Sequence, residues 1–99
     1  VPLERLYSRT TKEILWIYIL KLLLSGEMYA YELRDAIKNT FGFEPARITS
    51  YVVLYRLEKG GYVGSKWVDN KKYYYMTDKG EKLYKQGITY LEEMLEKLR

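Results

Sequence analysis

Between Ile14 and Leu24 the chain carries ten apolar residues in eleven, broken only by Lys21. A membrane span needs about 20 such residues, so the run is too short to cross a bilayer. No small-residue cleavage site follows it, so neither a membrane segment nor a leader is expected. A helix apolar nearly all round must be buried on several sides. Thr10-x-x-Glu13 precedes it with capping-box spacing, which predicts a helix from about 11 to 24, closed by Ser25-Gly26. A chain of 99 residues supports one domain with a small core. One such core can hardly surround this helix, so a second subunit is expected to cover part of it, through residues such as Ile14 and Ile17.

The remainder alternates helical and strand periods. Ala30, Leu33, Ala36, Ile37 and Phe41 form a core stripe over a helix from about 29 to 40, with Gly42 placed to end it. Pro45 starts a third helix, about 46 to 59, which stops at Gly60-Gly61. Residues 62–68 and 71–77 are rich in β-branched and aromatic types and read as a two-stranded hairpin. Asp69-Asn70 suits a two-residue turn, which pairs Trp67 with Lys72, Ser65 with Tyr74 and Val63 with Met76. The hairpin base is then core, and its tip holds Lys71 and Lys72 in water. Thr77 or Asp78 caps a last helix to about 98. Tyr84, Ile88, Leu91, Leu95 and Leu98 repeat on it at steps of 4, 3, 4 and 3, a heptad seam suited to a dimer interface.

Three helices, a β hairpin and a long helix make a mainly α chain with a winged helix-turn-helix order. The expected division is an N-terminal arm at 1–9, a DNA-binding domain at 10–77 and a C-terminal dimerisation helix at 78–99.

The net charge of +4 is unevenly placed. Residues 1–44 are neutral and residues 86–99 carry −1, whereas residues 45–85 hold nine basic and four acidic residues. That excess lies on the third helix, the wing and the start of the last helix, which meet DNA in proteins of this type. At ~100° per residue, Leu54, Leu57 and Ser50 share the core side of the third helix. Ile48, Thr49, Val52, Tyr55 and Arg56 then face outward. Apolar side chains there can meet thymine methyls, and Thr and Arg can bond base edges or phosphates. Alternatively, Ile48 and Val52 pack on another helix of a dimer. Arg47 is placed for a phosphate or base, or is a plain surface residue. Tyr29 either donates to phosphate from the start of the second helix or packs in the core, and Tyr31 is expected in the core. Lys66, Lys71 and Lys72 on the wing suit phosphates, with a cation–π pair to Trp67 as the alternative for Lys72. In Tyr73-Tyr74-Tyr75, alternation puts one ring in and two out.

No cysteine and no histidine occur. This excludes disulfides and thiol chemistry, makes a metal site unexpected and removes the commonest general base. No Gly-rich phosphate loop is present either, so an enzyme is not expected, nor a cofactor. Missing cysteine fits a cytoplasmic protein.

Three segments resemble the PadR family of winged-helix transcriptional regulators. Tyr29-Ala-Tyr-Glu-Leu33 is similar to the family's His-Gly-Tyr-Glu-Leu. Thr49-Ser-Tyr51 followed by Leu54-Tyr-Arg-Leu-Glu-Lys-Gly-Gly-Tyr-Val63 resembles Thr-Leu-Tyr-Pro-x-Leu-x-x-Leu-Glu-x-x-Gly-Leu-Val. Lys72-Tyr-Tyr-Tyr-Met-Thr-Asp-Lys-Gly80 resembles the end of the wing, Arg-Lys-Tyr-Tyr-x-Leu-Thr-x-x-Gly. The single helix after the wing resembles the small subfamily. The resemblance implies a homodimer held by first and last helices, bound to an inverted repeat in double-stranded DNA and usually repressing. Val52 replaces the family's Pro, and the Gly-rich wing tip is cut to Asp69-Asn70, which shortens its reach. Some small members hold a small hydrophobic effector with an aromatic of the last helix. The matching turn here has Ile88 and Leu91, with Tyr84 and Tyr90 nearby, which weighs against one. A low-specificity architectural DNA binder and a protein–protein interaction module remain as alternatives.

Overall fold

The computed structural model describes all 99 residues, Val1–Arg99. Eight elements follow in order: α1 (Pro2–Lys12), α2 (Leu15–Leu23), β1 (Met28–Tyr29), α3 (Ala30–Phe41), α4 (Arg47–Lys59), β2 (Val63–Val68), β3 (Lys71–Met76) and α5 (Asp78–Leu98). Helix-turn-helix, wing and trailing helix match the expected mainly α, winged arrangement.

The N-terminal region departs from expectation. Residues 2–12 are helical, so the 9/10 boundary between arm and domain falls inside α1. Thr10 caps nothing. Its Oγ1 donates back to the Leu6 carbonyl at 2.8 Å, and Glu13 pairs with Arg9 one turn earlier. The chain breaks at Glu13-Ile14 instead, where Tyr18 Oη donates 2.7 Å to the Thr10 carbonyl near the end of α1. That hydroxyl satisfies one of the carbonyls a helix end leaves open.

α2 is the core of the molecule. Leu15, Ile17, Ile19, Leu20 and Leu23 are buried within the single chain. α3, α4, β3 and α5 all pack around it. The single chain thus covers most of this helix by itself, while Trp16, Tyr18 and Leu22 are half-buried and Leu24 is exposed. Leu33, Ile37, Leu54, Leu57, Val63 and Tyr74 complete the core.

The wing is three-stranded, not two-stranded. β1 pairs antiparallel with β3, giving the order β1-β3-β2. The β2–β3 register is as expected: Val63 faces Met76, Ser65 faces Tyr74 and Trp67 faces Lys72. Asp69 and Asn70 take φ of 49° and 67°, the left-handed pair that a tight hairpin requires. Thr77 Oγ1 accepts from Gly80 N at 3.1 Å and starts α5. Gly80 lets that helix approach the wing base, since a Cβ there would lie 1.9 Å from the Tyr62 carbonyl oxygen.

Candidate nucleic-acid interface

α4 is anchored by one face and bare on the other. Ser50, Leu54 and Leu57 are buried, and the Ser50 hydroxyl is satisfied there by donating 2.9 Å to the Ala46 carbonyl. Ile48, Thr49, Val52, Tyr55 and Arg56 are all exposed, Ile48 by 79%. Apolar residues thus lie on both faces of a surface helix, which burial within the chain does not explain. The first turn holds no acidic residue but does hold Arg47, a cation at the end that prefers anions. Its guanidinium lies 6.0 Å from the Tyr51 ring centre. Neither Arg47 nor Arg56 joins any of the ion pairs.

The wing lysines divide. Lys71 is exposed, with its ammonium 4.5 Å from the Tyr29 ring centre. Lys66 is exposed and pairs with Glu27 at 2.8 Å, which raises its pKa. Lys72 does not stand in water as expected, nor over Trp67. It bonds Glu58 of α4 at 3.0 Å and lies 5.3 Å from the Tyr74 ring centre. Glu58 also accepts from the Ser65 hydroxyl. These two bonds, Ser65 first, hold the Glu58 carboxyl below its usual range, while Glu58 raises Lys72. Burial pushes the Tyr74 hydroxyl up. The local sequence hid this because Glu58 and Lys72 are 14 residues apart on different elements.

Tyr31 is exposed by 68%, contrary to its expected place in the core. The second-helix stripe is filled by Ala30, Leu33 and Ile37, and Tyr31 falls on the opposite side. Tyr29 is half-buried, edge-on to Tyr73 at 5.4 Å, and its N–H donates 3.2 Å to Glu32. Trp67 and Tyr51, not singled out as surface groups by the sequence, are also exposed.

The heptad seam is covered in part. Tyr84 packs against the core, and Ile88 and Leu91 are half-buried, as is Ile14. Ile17 is buried inside the chain, with its Cδ1 3.5 Å from where a Cβ on Gly87 would stand, so it offers no free surface. Leu95 and Leu98 are exposed, as are Leu3, Leu6 and Tyr7 of α1. No helix is long and apolar enough to cross a membrane.

The family model described as "Transcriptional regulator PadR-like family" matches residues 19–86. No curated protein matches the sequence. Among solved structures, a transcriptional regulator from Clostridium thermocellum is 29% identical, with TM-score 0.86 and 92% of each chain covered. PadR of Bacillus subtilis, solved with operator DNA, shares the fold at TM-score 0.70 and 24% identity, over 76% of this chain and 46% of that one. F93 from STIV, a winged-helix DNA-binding protein, shares it at TM-score 0.76 and 19% identity, over 82% and 90%.

Proposed function

The chain belongs to the PadR-like family of transcriptional regulators, and from that premise we propose that it binds double-stranded DNA sequence-specifically, as a homodimer on an inverted repeat, and represses. Membership places it among regulators rather than enzymes. The observation that carries the reading is the bare outer face of α4, where Ile48, Thr49, Val52 and Arg56 stand uncovered beside the basic wing. Base-edge recognition needs such a mixture: apolar atoms for thymine methyls and polar ones for hydrogen bonds. Arg47, Tyr55, Tyr29, Lys66 and Lys71 serve the backbone in this reading. Lys72 serves it only when released from Glu58.

In this reading the division falls at the Glu13-Ile14 break: residues 14–77 form the DNA-binding unit, and α1 with α5 joins the subunits. A two-fold dimer reads a two-fold site, hence the inverted repeat. Repression follows most simply from occupancy, since a bound dimer blocks the same stretch of duplex to other proteins. Competition of a promoter duplex against random duplex tests the reading. Arg56→Ala and Thr49→Ala are each expected to lose about 1–3 kcal/mol on the preferred site and little on random DNA. Equal affinity of the unaltered protein for both duplexes would leave the architectural reading in its place.

A further inference from the structure

A cavity of about 240 Å³ lies where α1, the start of α2 and the turn joining α3 to α4 meet. Its floor is apolar: Leu15 is 1% exposed, Pro45 is buried and Phe43 is half-buried. Phe43 is held there by Tyr18, whose ring meets it edge-on at 4.9 Å. A cavity of roughly 150 Å³ with apolar walls admits benzene. This one therefore has room for a six-membered ring with a short substituent.

The rim sets what that substituent carries. Lys12 comes to it from α1 and Glu44 from the turn. Both are exposed, and they are not paired with each other. Lys12 joins no ion pair at all. Glu44 meets Lys38 only at 3.7 Å, beyond hydrogen-bond reach. An apolar floor under one cation and one anion suits a molecule with a ring at one end and both charges at the other. Ala46 and Thr49 of α4 complete the wall. Thr49 also belongs to the outer face that α4 offers to DNA.

We infer that this cavity binds a free aromatic α-amino acid, with phenylalanine as the type. The ring lies on Leu15, Phe43 and Pro45, the carboxylate meets Lys12 and the ammonium meets Glu44. The site lies within one chain, apart from the seam of α5. Its effect on DNA rests on the duplex-binding reading above. A ligand against Ala46 and Thr49 fixes the first turn of α4 and takes the Thr49 hydroxyl from the base edges, so it weakens duplex binding. By linkage, duplex weakens the ligand by the same factor.

Calorimetric titration of the free protein with phenylalanine tests the site without DNA. Phenethylamine and phenylacetate each lack one charge and glycine lacks the ring, so all three should bind more weakly. Lys12→Gln and Glu44→Gln should each weaken phenylalanine about two- to fivefold, the range of an exposed ion pair. Ala46→Trp fills the cavity from an exposed position and should abolish binding with thermal unfolding unchanged. No binding of phenylalanine, equal binding of any of the three partial molecules, or binding that survives Ala46→Trp each overturns the inference. Saturating phenylalanine should lower affinity for promoter duplex about fivefold or more. An unchanged duplex affinity overturns the regulatory part. Absence of any duplex binding without phenylalanine would instead overturn the functional reading, a separate result that leaves the calorimetry standing.

Discussion

Glu58 accepts hydrogen bonds from Ser65 and Lys72 and so ties α4 to both long strands of the wing. Its carboxyl sits below its ordinary 4.5, chiefly through Ser65, then Lys72. A depressed carboxylate contributes stability in full above 4.5, and that stability is lost as pH falls through the lower folded value. Lys72 is raised above its ordinary 10.5 by Glu58, so its contribution is whole below 10.5 and lost as pH rises past the folded value. Glu58→Gln is therefore expected to cost about 1 kcal/mol near neutrality. The gap to the unaltered protein should close in acid. Urea unfolding over a pH series checks it, and a gap constant down to low pH would contradict the assignment.

The hairpin shows why some elements can be read from sequence. A two-residue Asp-Asn turn has few alternatives, and once it is fixed every cross-strand pair follows. Asn70 holds φ at 67°. Asn70→Val should lose about 1–2 kcal/mol, while Asn70→Gly should be neutral or stabilising; thermal unfolding of the two variants separates them. α1 was not legible for a converse reason. Thr10-x-x-Glu13 has the spacing of a cap, but Glu13 is equally placed for Arg9, and Tyr18 from the next helix supplies the bond that ends α1. β1 is two residues long and exists only because β3 offers an edge to Met28 and Tyr29. Neither long-range cause leaves a local pattern. The candidate site divides in the same way. The outer face of α4 follows from helical period alone, whereas the capture of Lys72 and the exposure of Trp67 depend on where the wing lies relative to α4.

At the scale of the molecule, apolar surface remains after the core is complete. Leu95 and Leu98 at the end of α5 are exposed, Leu98 by 76%, and so are Leu3 and Leu6 of α1. Every residue after Leu91 is exposed. In the proposed homodimer a second copy covers this surface, seam against seam. Sedimentation should give twice the chain mass of 11.9 kDa. Leu95→Lys with Leu98→Lys should give the monomer with the fold intact, since neither side chain belongs to the core.

Symmetry and base readout meet in one measurement. Selection of bound duplex from a random library, followed by sequencing, reports specificity and half-site spacing together. The expected result is two inverted half-sites about 10 bp apart or a multiple of it. An unenriched library would contradict the account.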